Sequence, residues 1–217
     1  TKQAWVYTFD RMTGEPIWPI EELPVPAGDV PGEWYSPTQP FPTRPAAFDR
    51  QGFSEEDVID FTPELRLAAL EAIADFRLSS SVYSPPSLMD AEDGTRGTLG
   101  LPSATGGANW EGSALDPETG ILYIPSRTQL AVLTLGKDEN SDVAFSQSFG
   151  VRIPRVQGLE IVKPPYGRIT AIDMNSGDHL WQIANADTPD NIANHPALEG
   201  IDIARTGVPT RAGVVLT

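Results

Sequence analysis

Aspartate recurs in this chain of 217 residues at a fixed distance from a glycine, and that spacing limits what the carboxylate can do. Thr8-x-Asp10-x-x-Thr13-Gly14-x-x-x-Trp18 returns as Ala171-x-Asp173-x-x-Ser176-Gly177-x-x-x-Trp181. A further copy, Ala114-x-Asp116-x-x-Thr119-Gly120, has Ile124 at the Trp position. A carboxylate placed so accepts hydrogen bonds from backbone N–H groups two or three residues on, while the glycine supplies positive φ. Asp10, Asp116 and Asp173 are therefore turn-locking groups, not general bases. The other candidates for chemistry are sparse. His179 and His195 stand alone, which argues against a histidine metal site. There is no cysteine, hence no disulfide and no thiolate ligand. Gly106-Gly107 lacks a following Lys and a helical pattern, so phosphate binding is not supported. The acidic runs Glu55-Glu56-Asp57 and Asp90 to Asp93 read as solvated loops.

The elements that position these residues follow from periodicity. Trp5, Tyr7 and Phe9 alternate into the first turn, and Ile169 and Ala171 into the last, so each copy is a strand running into a tight turn and out again. The Trp after each turn is expected to bury its ring against a neighbouring unit. A unit that cannot cover its own apolar face must stack on copies of itself, which predicts a repeat array; a plain set of β-hairpins is the simpler alternative. Twenty-one prolines and nineteen glycines favour a turn-rich β protein. The net charge of −15 opposes nucleic-acid binding, which needs clustered Lys and Arg. No stretch approaches the apolar length of a membrane span, and no signal peptide opens the chain. The chain opens at Thr1-Lys2-Gln3 beside a strand and stops in Gly213–Thr217, which looks like an interrupted strand, so a segment of a larger protein is expected.

Between the copies, residues 5–20 form a hairpin-like unit. Eight prolines from Pro19 to Pro45 predict an ordered strap without regular sheet or helix. Ser54 with Asp57 has the form of a capping box opening a short turn. Thr62, Pro63 and Glu64 then start a helix, and Leu65, Ala69, Ala72, Ile73 and Phe76 give it one apolar face through about Leu78. Strands are expected over Gly97–Leu101 and Asn109–Thr128, with weaker candidates at Gln129–Leu135 and Ala144–Val151 and a loop over Gly136–Asp142. Tyr166–Asp173 and His179–Ile183 make the last full unit, followed by an irregular stretch from Asp187 to Pro209.

The repeat Ala-x-Asp-x-x-Thr/Ser-Gly-x-x-x-Trp resembles the tryptophan docking motif of the quinoprotein dehydrogenases that use pyrroloquinoline quinone. Thr1-Lys2-Gln3-Ala4-Trp5-Val6-Tyr7-Thr8-Phe9-Asp10-Arg11 resembles the strand after that family's catalytic segment. Gly106-Gly107-Ala108-Asn109-Trp110, with Asp116-Pro117 and Leu122-Tyr123-Ile124-Pro125, resembles a segment found widely in the family. Ser36–Phe41 and Tyr83–Ser87 resemble loops of the membrane-bound glucose dehydrogenase branch. The resemblance implies an all-β fold, a partial β-propeller of about three blades from an eight-bladed ring. Residues 1–217 would form one domain, with the strap and helix inserted at about 19–80.

It further implies that the whole protein oxidises an alcohol or aldose sugar by hydride transfer to the quinone, in the periplasm and with a possible membrane anchor elsewhere. Electrons would pass to a quinone or cytochrome acceptor. Lys2 matches the basic residue beside the quinone, where a cation stabilises developing negative charge; a frayed terminal lysine is the plain alternative. Asn109 matches an amide that contacts the cofactor, the alternative being a turn cap. Trp110 lies in the same cofactor segment, although its ring reads better as core. The calcium that accompanies the quinone, and the catalytic Asp, belong to family segments with no counterpart here. The segment alone is expected to be inactive and to self-associate through open blade edges. A non-catalytic propeller scaffold is the main alternative, and a carbohydrate-binding module using Trp34 and Tyr35 is a weaker one.

Overall fold

The computed structural model describes residues 1–137, 140–148 and 150–217. In chain order its first elements are strands β1 (Ile20–Pro24) and β2 (Thr38–Pro42), helix α1 (Pro63–Ala72), then β3 (Arg77–Leu78), β4 (Ser87–Leu88) and β5 (Thr98–Gly100). Next come β6 (Ala114–Asp116), β7 (Ile121–Arg127), β8 (Ala131–Gly136), β9 (Ser146–Gln147), β10 (Arg155–Val156) and β11 (Leu159–Glu160). The last are β12 (Gly167–Asp173), β13 (Asp178–Ala184) and a short helix α2 (Asp190–Ala193). Strand dominates over helix, as an all-β partial propeller requires.

The principal sheet has the order β13-β12-β7-β6, all antiparallel, which is the four-stranded meander of a propeller blade. Its two hairpin turns are the second and third copies of the aspartate motif. Asp116 Oδ1 accepts from Glu118 N at 3.0 Å and Asp116 Oδ2 from Thr119 Oγ1 at 2.6 Å, and Asp173 Oδ1 accepts from Asn175 N at 2.8 Å. Asp10 does the same for Met12 N and Thr13 N, at 2.8 and 2.9 Å. Gly14, Gly120 and Gly177 all sit near φ +76°, at +77°, +75° and +78°. The copies at 114–120 and 171–177 are thus neighbouring corners of one blade, separated in sequence because residues 128–166 leave the sheet after β7 and return at β12. In the first copy the strands barely pair, through one bridge between Phe9 and Pro16.

Neither motif tryptophan is as buried as its sequence context predicts. Trp18 is half-buried, and its Cζ2 lies 3.2 Å from where a Cβ on Gly177 would stand, so the first copy leans on the turn of the third. Arg44 holds the same turn by donating from Nη1 to Ser176 O at 2.8 Å and pairing with Asp178. Trp181 lies opposite Ala171 with its ring 5.8 Å from that of Tyr123, and it remains 42% exposed because β13 is the edge of the sheet.

The larger core forms outside the blade. Helix α1 turns Leu65, Ala69 and Ile73 against Phe53, Ile59, Leu99 and Ile161, all essentially excluded from solvent. Thr62 caps the helix by accepting from Leu65 N at 3.1 Å, with Pro63 in the first turn, and Ser54 with Asp57 closes the capping box ahead of it. The helix stops at Ala72, short of Leu78. Arg77 and Leu78 instead pair in parallel with Thr98 and Leu99, because Gly97 O and Leu99 O accept from Arg77 N and Ser79 N at 3.0 Å each. A mixed sheet of order β3-β5-β8-β4, with β9 beside β8, continues from there. A smaller core of Ala4, Phe48, Ile124 and Ile172 joins the N-terminal segment to the blade.

The proline-rich strap departs from expectation as well. It contains regular sheet, with β1 and β2 paired antiparallel over five residues. Both members of a two-stranded pair are edge strands, so Pro24, Pro40 and Pro42 are tolerated where a central strand would exclude them. Phe41 carries the strap onto the N-terminal segment: its ring stands 5.3 Å from Trp5 and 5.2 Å from Tyr83. Residues 109–113 form a turn before β6, Asp187–Pro209 contains α2 and a short 3-10 turn, and Gly213–Thr217 is not a strand. Of the 144–151 candidate only Ser146–Gln147 is strand, and position 149, like 138 and 139 of the 136–142 loop, lies outside the described residues.

Candidate functional site

Three of the sequence candidates converge on one turn. The arc Thr105-Gly106-Gly107 lies directly on Lys2, where Gly107 N donates to Lys2 O at 3.0 Å. Gly106 has φ +88°, and a Cβ there would stand 2.7–2.8 Å from Lys2 Cα, Cβ and Cγ. Only glycine permits this approach. Two residues beyond the arc, Asn109 donates from Nδ2 to Thr105 O at 2.9 Å, which keeps its Oδ1 for another partner. This bond is the turn cap given above as the alternative to a cofactor contact. It does not consume the whole amide. Lys2 itself is exposed.

Trp110 is 91% exposed and does not belong to the core, contrary to the core reading of its ring. The chain turns at Trp110–Glu111 before entering β6, which faces the indole outward while Glu111 faces in. A cavity of about 260 Å³ opens beside the arc, lined by Asn109, Ala108, Tyr7, Trp5, Leu122 and Ile124. Of Lys2, Asn109 and Trp110 only Asn109 lines the cavity, whose wall is mixed, with Thr1 and Ser113 beside the apolar residues.

Two charged groups beneath this surface gave no signal in the sequence. Arg127, at the end of β7 and 5% exposed, donates from Nε to Gly106 O at 3.2 Å and from Nη2 to Thr105 O at 3.1 Å. Glu111 pairs with Arg127 at 3.7 Å and with Arg211 at 2.7 Å. Hydrogen bonding to its own backbone amide, then to Arg211, holds the Glu111 carboxyl below the usual glutamate range. Further in, Asp49 accepts from Thr128 Oγ1 at 2.6 Å and from Arg50 N at 2.7 Å, and faces Arg168 at 3.9 Å. Nothing in local sequence marks these residues because, apart from the backbone amides of Arg50 and of Glu111 itself, their partners lie at least 16 positions away.

The three motif aspartates sit at exposed turns, their carboxyls held below the ordinary range first by backbone N–H groups for Asp10 and Asp173, and first by the Thr119 hydroxyl for Asp116. Among the described residues no group of three His, Cys, Asp or Glu side chains could hold a metal ion. His179 and His195 each bond a backbone carbonyl, Ala46 O and Gln157 O. No helix among the described residues is long and apolar enough to cross a membrane.

A family model described as PQQ: Glucose/ethanol/alcohol dehydrogenase, beta-propeller domain, matches residues 1–217. Quinate/shikimate dehydrogenase (quinone) of Acinetobacter baylyi is 27% identical over 204 aligned positions, covering 84% of this chain and 24% of that protein. The glycerol dehydrogenase large subunit of Gluconobacter thailandicus is 29% identical, with coverage of 84% and 28%. Quinoprotein glucose dehydrogenase A of Acinetobacter calcoaceticus is 26% identical, with coverage of 100% and 28%. The chain therefore spans about a quarter of the length of these relatives. Their similar identities do not single out a glucose branch.

Proposed function

Because the chain belongs to the beta-propeller family of the PQQ glucose/ethanol/alcohol dehydrogenases, we propose that it contributes the Lys2–Asn109 side of a quinone pocket in a dehydrogenase of alcohols or sugars. The observation that carries this reading is the convergence of Lys2, Gly106-Gly107 and Asn109 within one hydrogen-bonded arc. In this reading residues 1–217 are one portion of the propeller, with the strap and helix of about 19–80 inserted into it. Catalytic base and calcium ligands come from other segments, and electrons leave to a quinone or cytochrome acceptor. A periplasmic setting accords with the bacterial quinoproteins that the chain resembles.

The donor set fits the cofactor. Pyrroloquinoline quinone is flat and carries carboxylates, and when bound it supplies an ortho-dicarbonyl that accepts two electrons from substrate. Lys2 contributes a positive charge for an oxygen on which negative charge grows. Asn109, its Nδ2 anchored on Thr105 O, presents Oδ1 and its second N–H to ligand polar atoms. Trp110 offers an exposed ring for stacking on a flat ligand.

Titration with pyrroloquinoline quinone and calcium, followed by Trp fluorescence, tests this for the chain and for the whole protein. Lys2→Ala is expected to weaken binding by about 10- to 100-fold, since hydrogen bonds to a charged group contribute about 1.5–3 kcal/mol. Binding that is unaffected by Lys2→Ala would refute the assignment of Lys2. Absence of binding even by the whole protein would favour a non-catalytic scaffold. The chain alone should not turn over substrate. Leu180, Trp181 and Ile183, exposed on edge strand β13, support its self-association, and a clean monomer by light scattering at high concentration would count against that.

A further inference from the structure

Resting on the quinone-pocket reading above, we propose that Arg127 is a positioning residue that sets Lys2 and Asn109 against one another by clamping the arc between them. One residue holds three consecutive carbonyls. Its Nη2 donates to Thr105 O at 3.1 Å, its Nε to Gly106 O at 3.2 Å, and its main-chain N to Gly107 O at 2.8 Å. From the opposite side, Gly107 N holds Lys2 O at 3.0 Å, and Gly106 leaves no room between the arc and Lys2. Thr105 O is shared, receiving both Arg127 Nη2 and Asn109 Nδ2. A change in the Arg127 side chain thus reaches the Asn109 amide through one oxygen and the Lys2 backbone through one peptide.

The choice of arginine is informative. Its side chain is 6% exposed, and its nearest carboxylate oxygen, on Glu111, stands at 3.7 Å, beyond hydrogen-bond distance. A buried guanidinium spent on neutral carbonyls is an expensive way to fill space, and an apolar side chain would fill it at less cost. What only arginine supplies is a planar fork of N–H groups that fits two adjacent carbonyls at once; a lysine ammonium makes a single point of contact. Glu111 offsets the buried charge only in part, since the same Oε1 also pairs with Arg211 at 2.7 Å, and it takes over none of those donors.

The test uses the whole protein that carries this chain, with quinone affinity read by Trp fluorescence and folding by thermal melting. Arg127→Met and Arg127→Lys are each made alone and on a Lys2→Ala, Asn109→Ala background. Groups that orient metal ligands from outside are worth about 10- to 100-fold in affinity, and a loss of about 10-fold is expected for Arg127→Met. Arg127→Lys, which keeps the charge and loses the fork, should not restore it. On the double background the further loss should fall below about 2-fold, because the groups being positioned are gone. A loss that persists undiminished on that background marks a merely structural role and overturns the inference. So does unchanged affinity in a folded Arg127→Met protein that still responds to Lys2→Ala. If the unsubstituted protein binds no quinone, the pocket reading falls and takes this inference with it. Hydrogen exchange in the unsubstituted protein is independent of whether any variant folds: the Gly107 and Arg127 amides should be as protected as the β7–β12 ladder, and rapid exchange at either overturns the clamp.

Discussion

Replacing Gly106 by alanine tests whether the arc is held by its contact with Lys2 or only by its own turn. Two costs add at this position. An L-residue in the left-handed region, here φ +88°, costs about 1–2 kcal/mol. The new Cβ would also stand 2.7–2.8 Å from Lys2 Cα, Cβ and Cγ, closer than carbon atoms approach. Overpacking of this kind costs about 1–3 kcal/mol. Gly200 is the matched control, with φ +77° and nothing within 4 Å of its would-be Cβ, so Gly200→Ala carries the backbone cost alone. Urea unfolding followed by Trp fluorescence should place Gly106→Ala about 1–3 kcal/mol below Gly200→Ala, or roughly 2–12 °C in Tm for a domain of this size. The quinone titration should separate them too, with affinity falling in Gly106→Ala, whose Lys2 must move, and holding in Gly200→Ala. Equal stability losses in the two variants would refute the reasoning, because the Lys2 contact would then contribute nothing.

Two further outcomes follow from the repeat. Trp18→Ala removes a half-buried ring from the Gly177 turn and should cost about 1.5–2.5 kcal/mol, roughly half of a fully buried Trp→Ala change, by urea unfolding; a neutral effect would mean that the first copy does not lean on the third. Acid should weaken all three turns. The folded carboxyls of Asp10, Asp116 and Asp173 lie below the ordinary value of 3.8, so their contribution is complete above that value and is lost as pH falls through the lower folded values. Urea midpoints should therefore fall on acidification from about pH 4 downward, and the triple Asp→Asn variant should flatten that fall; an unchanged slope in the triple variant would show that the carboxylates carry none of it.

The relation between sequence and structure differs from element to element. Local chemistry was legible wherever cause and effect lie within a few residues. The Asp–Gly turns, the Ser54 capping box, and the Thr62 cap with Pro63 all form as their spacing requires, because each is satisfied by backbone groups two to four positions away. Longer-range outcomes were not legible. The helix pattern extends past Ala72, yet Arg77 and Leu78 join a sheet because Gly97 O and Leu99 O are in reach. The prolines of the strap argue against sheet, yet two edge strands form, since each needs hydrogen bonds on one side only.

By itself the sequence determined the all-β character, the turn corners, the family, and the identity of Lys2 and Asn109 as residues to watch. The tertiary structure decided that two motif copies close corners of one blade, and that Trp110 faces solvent while Arg127 is buried. It also decided that Lys2, Gly106 and Asn109 meet, through an arc more than 100 positions along the chain from Lys2. The reason is physical: a turn is fixed by the conformational preferences of adjacent residues, whereas burial and convergence depend on which distant surfaces the folded chain brings together.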